Sequence, residues 1–253
     1  FYMGWPDMTG RIAPTAYSAA SYMMKELRAQ QPALRLHAWI GQVEKRGGGT
    51  IDLSDAEVRR GIADTAADFL KLGFDGIHYG FPAAGNGNPH LLLLLDQTRI
   101  LTKRTGAILS IGADALEPIP GLAWLTRKTG SRNGYWTRRY YSDVSRRVDQ
   151  IAVSPGEAIW PARWINASFI AWQTRAIRPL TAGHATPFMG VPAQDTADDA
   201  GYRDDLIAST VVGIRKGMTA LGSDPFDDFG IALDVDVPPA ETGGQALLES
   251  WLD

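Results

Sequence analysis

The 253-residue chain contains no cysteine. This absence excludes disulfide bonds, thiolate-ligated metal sites and a cysteine nucleophile. The sequence also lacks the GxGxxG and P-loop motifs, the GxSxG turn of serine hydrolases and the HExxH motif of zinc proteases. Because the corresponding sites depend on these motifs, we expect neither a metal nor a cofactor. We also expect no membrane span, since no apolar run reaches about 18 residues.

Net charge and chain length further limit the classes of protein to which this sequence can belong. The net charge is −3, and a weakly acidic chain has no electrostatic feature that favours nucleic acid as a partner. Hydrophobic residues make up 45% of the chain, which is ordinary for a globular protein, and the length suits one α/β barrel or two smaller domains. The chain starts at Phe1 rather than at a methionine, so we expect a processed, trimmed or partial form.

Segments with strand and helix patterns alternate along the chain, which predicts a parallel sheet with helical crossovers. Strands are predicted at residues 1–5, 34–41, 74–82, 107–114, 148–154, 186–191 and 229–237. Helices are predicted at residues 16–31, 54–72, 89–105, 135–147, 161–179, 202–221 and 242–252. In the second helix, Ser54 is the expected N-cap because Glu57 follows at the capping-box spacing. A TIM barrel needs eight strands, so the pattern fits either a barrel with an incomplete unit or an open doubly wound sheet.

The segment LGFDGIHYGFP at residues 72–82 has the pattern of a short buried strand bounded by glycine and proline. Since side chains alternate across a strand, Ile77, Tyr79 and Phe81 are predicted to share one apolar face that packs under helices. The opposite face carries small or polar residues, which suits the inside of a closed sheet. These residues are Gly76, His78, Gly80 and Pro82.

This segment resembles the fourth strand of chitinase-type glycoside hydrolases of family 18, whose signature there is D-G-x-D-x-D-x-E. Asp75 and Gly76 match the first two positions of that signature. The second Asp falls on His78, the third on Gly80 and the acid Glu on Pro82, so the frame matches while the catalytic motif is degenerate. The resemblance continues in order through LHAWIG, LSIGA, VDQIAV, PFMGVP and FGIAL, which are similar to the family's third and fifth to eighth strands.

The resemblance implies one TIM (β/α)8-type barrel domain over residues 1–253, with its first βα unit missing or irregular. It also implies a carbohydrate-active protein with an oligosaccharide or polysaccharide as partner, placed outside the cell or in the cell envelope. In that family the motif Glu is the general acid and the substrate's N-acetyl group is the nucleophile. That mechanism cannot run with Pro82 in the acid's position. The family's sixth-strand Tyr and Asp align with Gly156 and Glu157, and its eighth-strand Trp has no counterpart here.

Function in such barrels lies at the carboxyl ends of the strands, so acidic residues there are candidates for catalysis. Asp234 and Asp236 are two residues apart on one strand and therefore point to the same side. Crowded carboxylates shift one another's pKa values apart, as a glycosidase requires. The same crowding can begin an oxygen-ligand metal site, and a carboxylate at a strand end can instead cap the next helix. The candidate catalytic residues are Asp114, Glu157, Asp234 and Asp236.

Aromatic and histidine side chains provide candidate sugar contacts. Trp39 is predicted on an inner strand face, while Trp5, Trp136 and Trp160 lie near loop ends where sugar rings can stack. His37 and His78 can approach each other across neighbouring strands, and hydrogen-bonded core histidines are the favoured interpretation. Two histidines with a carboxylate would be the alternative, a transition-metal site, but no local motif supports it. The predicted substrate-binding residues are Trp5, Trp39, His78, Tyr79 and Trp160.

Three functional hypotheses fit these features. The first is a glycoside hydrolase whose acid pair has moved to the carboxylates named above. The second is a non-catalytic sugar-binding relative of the chitinases. The third is a barrel whose mouth has been rebuilt, by divergence or by engineering, for another task.

Overall fold

The computed structural model describes residues 1–41, 51–81, 86–124, 134–154, 163–192, 200–222 and 229–234. The strands in these ranges are β1 Tyr2–Gly4, β2 His37–Gly41, β3 Gly76–Gly80, β4 Ile108–Leu116, β5 Tyr135–Trp136, β6 Gln150–Ser154, β7 Thr186–Pro192 and β8 Gly230–Asp234. The helices are α1 Pro14–Gln30, α2 Ala56–Lys71, α3 Pro89–Thr105, α4 Arg138–Ser145, α5 Arg163–Thr181 and α6 Ala200–Thr219. Helices alternate with parallel strands, which confirms the predicted α/β class.

The chain forms two compact units, the first made of Phe1–Gly112 with Asp143–Ile151 and the second of Ala113–Ser142 with Ala152–Asp253. In the first unit the strand order is β1-β2-β3-β4, and each neighbouring pair is parallel. β3 therefore lies between two hydrogen-bonded partners. The segment at residues 72–82 therefore provides an interior strand of this unit, as its apolar pattern predicts.

The apolar face of the first unit is fully buried and packs against helices. Ile40 of β2 and Ile77 and Tyr79 of β3 have no exposed surface. The helices supply matching apolar side chains, including Ile62 of α2 and Leu94 of α3, which are also completely buried. The predicted alternation in β2 and β3 is therefore confirmed, and hydrophobic burial fixes which face of each strand turns toward the helices.

In the second unit, α5 and α6 pack together and β7 pairs in parallel with β8. A small core cluster joins Val191 of β7 to Ile207 and Val211 of α6, with Ile231 of β8 packed against it. The buried side-chain amide of Gln173 in α5 bonds to both backbone groups of Leu116 in β4. It accepts from the Leu116 N–H at 3.0 Å and donates to the Leu116 C=O at 2.9 Å. These two bonds join the end of β4 to α5 and pair both backbone groups of Leu116.

Helix starts follow capping chemistry, with one correction to the sequence analysis. α2 begins at Asp55, whose carboxylate accepts the Glu57 N–H at 2.8 Å, so the prediction of Ser54 as the N-cap is wrong. The Ser54 hydroxyl is engaged elsewhere, because it donates to Asp52 Oδ1 at 2.6 Å. In α3 the predicted boundaries hold, with Asn88 as the N-cap and a left-handed glycine at the end.

The region predicted as one helix at residues 135–147 contains two elements. β5 pairs with the end of β4 through Ala115↔Tyr135 and Leu116↔Trp136, and α4 follows it. The helix predicted at 242–252 lies outside the described residues. Among the helices that are described, none is both long enough and apolar enough to cross a bilayer.

Candidate active-site residues

Two histidines and a serine meet on the polar face of the first unit's sheet. His37 of β2 and His78 of β3 each place ring atom Nδ1 near the Ser110 hydroxyl of β4, at 3.3 Å and 3.0 Å. The Ser110 hydroxyl in turn donates to the Ile77 carbonyl at 3.2 Å. The predicted approach of the two histidines across neighbouring strands is therefore realised through a shared serine.

Hydrogen-bond counting links the tautomers in this histidine–serine cluster. The Ser110 hydroxyl has one hydrogen, so when it donates to the Ile77 carbonyl, both Nδ1 atoms donate to the serine oxygen. Burial lowers the pKa of His78 to about 3 and also lowers the pKa of His37. Both rings are therefore neutral at pH 7 and present Nε2 as an acceptor. This arrangement is that of satisfied core histidines.

Glycines make room for the rings on this face. A Cβ added at Gly76 would lie 2.8 Å from the His37 ring, and one added at Gly80 would lie 2.4 Å from Trp39 Nε1. The Trp39 ring meets Tyr2 and His78 edge to face, with centroids 5.5 Å and 5.6 Å apart. Its buried Nε1 has no hydrogen-bond partner among the described residues. Trp39 and His78 thus lie together, as two of the predicted substrate-binding residues.

Tyr79 lies on the opposite side of β3 from His78. It is completely buried, and its hydroxyl shares a hydrogen bond of 2.8 Å with Thr98 of α3. Burial raises the pKa of this phenol, so it stays protonated. The structure therefore places this predicted substrate-binding residue in the core between the sheet and α3.

Asp75, the first Asp of the chitinase-like motif, precedes β3 and joins three elements. Its Oδ2 accepts the Leu36 N–H at 2.7 Å and pairs with the Arg28 guanidinium of α1 at 2.5 Å. Although burial alone would raise the pKa of Asp75, these bonds favour the ionised form and lower it. The amino ends of barrel strands are associated with stability rather than catalysis, so this matched residue has a structural role.

Asp114 stands near the carboxyl end of β4 and is the candidate carboxylate that the structure describes in full. Its side chain is partly buried and accepts a hydrogen bond from the indole of Trp136 in β5. The carboxyl group packs against the backbone of Gly134, where an added Cβ would lie only 2.2 Å from Oδ2. The Tyr141 hydroxyl donates to the Asp114 backbone carbonyl. The carboxyl is thus held in one place with one described donor.

The environment of Asp114 favours its protonated form. Burial raises its pKa from 3.8 to about 6, and the indole hydrogen bond only partly opposes this effect. The pKa of nearby Tyr141 is raised well above its ordinary value, by burial first and by the Asp114 charge second. Asp114 therefore combines a fixed position with a pKa in the range where a carboxyl group can give or take a proton.

Trp5, which follows β1, lines a cavity together with Asp52, Phe81 and His90. The other predicted residues are less defined by the structure. The backbone of Asp234 ends β8. Glu157, Trp160, Pro82 and Asp236 lie outside the described residues.

Two contributors to these sites were absent from the sequence-based site predictions: Gly134 and His90. No sequence pattern indicated that two histidines share the Ser110 hydroxyl. The described ranges contain no cluster of three His, Asp or Glu side chains that could hold a metal ion.

Comparisons with known proteins find similarity in structure alone. No protein-family profile matches the chain, and no curated protein matches it in sequence. Among solved structures, a class V chitinase from Pseudomonas fluorescens Pf-5 is similar with a TM-score of 0.62 at 13% identity, covering 98% of this chain and 90% of that one. The spore cortex-lytic enzyme SleL from Bacillus cereus gives a TM-score of 0.60 at 13% identity, over 98% of this chain and 66% of that one.

A third similar structure is a chitinase from Chromobacterium violaceum, with a TM-score of 0.53 at 12% identity over 75% of this chain. The match spans 58% of that chitinase and 61% of a sporulation-specific glycosylase from Bacillus subtilis. At such low identities the likeness establishes the fold, which is that of chitinase-type TIM barrels. The resemblance drawn from the strand sequences is therefore confirmed at the level of fold.

Proposed function

We propose that this protein is a carbohydrate-active barrel that hydrolyses a glycan, with Asp114 as the general acid. The observation that carries the proposal is the partly buried carboxyl group of Asp114, held against Gly134 and Trp136 near the carboxyl end of β4, with a pKa raised to about 6. Active sites of such barrels lie at the carboxyl ends of the strands. The likeness in fold to chitinases and to a cortex-lytic enzyme supports a glycan as the substrate.

The chemistry of glycoside hydrolysis explains why the pKa matters. The leaving-group oxygen needs a proton in the transition state, so the acid must remain protonated near the working pH. An ordinary aspartate with a pKa of 3.8 is almost fully ionised at pH 6, whereas Asp114 is about half protonated there. Burial beside Trp136 thus supplies the protonated carboxyl that proline cannot supply at the family's acid position.

Hydrolysis also requires a second, ionised carboxylate opposite the acid. Asp234, Asp236 and Glu157 are the candidates, because each lies at or after the carboxyl end of a strand in the sequence. Asp234 closes β8, and the adjacent sequence continues to Asp236. We expect one of these three to act as the base or the nucleophile.

An assay of chitotetraose hydrolysis, in which the new reducing ends are measured, tests this function. Asp114→Asn should reduce the rate at least about 100-fold, because a positioned general acid contributes this much or more. Asp64→Asn is the matched control, since Asp64 is an exposed partner of Arg11 at the surface of α2. Full activity in Asp114→Asn would exclude this residue as the acid.

A sugar-binding protein without catalysis is the second candidate. The substitutions at the motif positions support it, because His78, Gly80 and Pro82 stand where the family has two Asp and a Glu. In that case chitotetraose should bind without turnover, and isothermal titration calorimetry would record heat while no reducing ends appear. Turnover abolished by Asp114→Asn would reject this alternative.

A further inference from the structure

Tyr141 in α4 contacts the backbone of the proposed acid directly and its side chain through a second aromatic residue. The Tyr141 hydroxyl donates to the Asp114 backbone carbonyl. The Tyr141 ring meets the Trp136 ring edge to face with centroids 5.4 Å apart, and the Trp136 indole donates to the Asp114 carboxyl. The three residues therefore form a closed ring of contacts near the carboxyl end of β4.

The short segment from β5 into α4 brings Tyr141 to this place. β5 pairs with the end of β4, which sets Trp136 beside Leu116. The first turn of α4 follows at once and is fixed by Thr137, whose carbonyl accepts the Tyr141 N–H at 3.0 Å and whose hydroxyl oxygen accepts the Tyr140 N–H at 3.3 Å. Both tyrosine rings thereby lie against the Trp136 ring, that of Tyr140 at a centroid distance of 4.9 Å.

The hydroxyl group of Tyr141 is committed to this contact. Tyr141 has no exposed surface, so its hydroxyl needs a partner within the protein. A phenylalanine would fill the same space, and the bond to the Asp114 carbonyl is what the oxygen adds. Burial first and the Asp114 charge second raise the pKa of the Tyr141 phenol well above its ordinary value. The phenol therefore remains a donor throughout the neutral pH range.

Proton transfer depends on where the carboxyl group is held. A general acid must lie within hydrogen-bond reach of the oxygen that it protonates, and a displacement of about 1 Å can reduce a rate about 100-fold. A shift of the backbone at Asp114 would carry the carboxyl with it. Gln173 bonds to β4 two residues further on, at Leu116, whereas the Tyr141 hydroxyl bonds to the backbone of Asp114 itself.

We propose that Tyr141 is a positioning residue for proton transfer by Asp114, because its hydroxyl fixes the backbone from which the acid projects. The proposal rests on the proposed function for the role of Asp114 as the acid, and it deepens that function by assigning a residue that supports the acid. Since Tyr141 is completely buried, it acts through Asp114 rather than on the glycan.

Tyr141→Phe tests the proposal, because it removes the hydroxyl and keeps the ring that packs on Trp136. The Asp114 carboxyl should then become less fixed and better hydrated, so its pKa should fall from about 6 toward 3.8. A ¹³C carboxyl titration of aspartate-labelled protein measures this change, and Asp114→Asn assigns the signal. In chitotetraose hydrolysis kcat should fall about tenfold with KM unchanged, and the basic limb of the kcat–pH profile should move to lower pH.

Two further variants separate positioning from a role in folding. Tyr140→Phe is the matched control, because it removes a hydroxyl from the neighbouring buried tyrosine, whose ring also lies against Trp136. It should leave the Asp114 pKa and kcat as they are in the unmodified protein. Trp136→Phe should shift the Asp114 pKa in the opposite direction, upward, because it removes the indole hydrogen bond that lowers it. A role of Tyr141 in folding alone would lower the stability of Tyr141→Phe without changing the Asp114 titration.

The outcomes separate this proposal from the proposed function. A lower Asp114 pKa and a lower kcat in Tyr141→Phe, with neither change in Tyr140→Phe, would support the positioning role. Equal Asp114 pKa and kcat values in these two variants would overturn it, while an inactive Asp114→Asn would leave the proposed function intact. The NMR titration needs no turnover, so full activity in Asp114→Asn would reject the proposed function even where Tyr141→Phe shows that Tyr141 positions the Asp114 carboxyl.

Discussion

Asp75 and Asp114 are both partly buried aspartates next to parallel strands, yet their surroundings have opposite effects on their protonation. Asp75 precedes β3 and receives a backbone N–H and a guanidinium, which lower its pKa despite burial. Asp114 lies near the carboxyl end of β4 and receives one indole N–H, so burial dominates and raises its pKa to about 6. The number and charge of the donors decide which form of a half-buried carboxyl is stable.

The comparison separates an aspartate with a structural role from the one that we propose as the general acid. Asp75 is the residue that matches the family motif, but its bonds to Leu36 and Arg28 hold it as a fixed anion at the amino end of the sheet. Asp114 matches no motif, but it has the pKa and the strand end that proton transfer requires. In the proposed function, the residue that matches the motif and the residue that transfers the proton are therefore different.

Removing the charge of Asp114 should have the largest effect on stability, and the effect should depend on pH. A pKa raised from 3.8 to about 6 means that the folded state pays for ionising this group above pH 6, by about 3 kcal/mol at most. The free energy of unfolding of the unmodified protein should therefore fall as pH rises from 4 to 7. Asp114→Asn cannot ionise, so its free energy of unfolding, measured by urea unfolding, should rise relative to that of the unmodified protein up to pH 7. A difference between variant and wild type that is the same at pH 4 and pH 8 would contradict the raised pKa.

Asp75→Asn should show the opposite dependence. The ionised form of Asp75 is stabilised by charge-assisted hydrogen bonds, each worth about 1.5–3 kcal/mol, and we expect a loss of about 2 kcal/mol at pH 7. Since the pKa of Asp75 is lowered, its contribution is complete above pH 4 and is lost as pH falls below that value. The deficit of the variant should therefore shrink at pH 2–3. A deficit that grows on acidification would remove the contrast between the two aspartates.

Gly134→Ala should convert Asp114 toward an ordinary aspartate. The new Cβ would lie 2.2 Å from Oδ2, so the carboxyl must move, at a cost of about 1–2 kcal/mol. Displacement toward solvent should lower the Asp114 pKa toward 3.8, which a ¹³C carboxyl titration would detect. Gly112→Ala is the control on the same strand, because its Cβ would make only ordinary contacts, the nearest at 3.7 Å. Equal titration curves for both variants would show that packing against Gly134 does not set the pKa.

The smallest effect is expected at an exposed carboxylate. Asp64 pairs with Arg11 at 2.7 Å, but both side chains are about half exposed. Such surface pairs contribute less than about 1 kcal/mol, so Asp64→Asn should change the free energy of unfolding by about 0.5 kcal/mol or less at any pH. A larger change would mean that an ion pair stabilises the folded state as much at the exposed Asp64 as at the partly buried Asp75.

Strand and helix positions could be predicted where the sequence carries a clear period. β2, β3 and α3 follow from alternation, helical spacing and a proline in the first turn. β5 could not be predicted, because two residues are too few to show a period and its pairing with β4 is a tertiary contact. Ser54 was assigned as the N-cap because the competing bond from its hydroxyl to Asp52 is invisible in a spacing rule.

The candidate site was predictable only in part, for a related reason. Asp114 could be selected as one of four strand-end carboxylates, but its raised pKa depends on Trp136 and Gly134, about twenty residues further along the chain. Tyr79 was predicted to bind substrate, although its position on the apolar face of its strand already indicated packing under a helix. The structure joins its hydroxyl to Thr98 of α3.

The contact between Trp39 and Gly80 limits the order in which substitutions could be tolerated here. Gly80 stands where the family motif carries an Asp, and any side chain at this position must enter the space now filled by the Trp39 indole, 2.4 Å from the new Cβ. Introducing an acid at residue 80 alone should therefore fail unless the side chain at residue 39 is first made smaller. Substitutions at these two positions are thus expected to be epistatic.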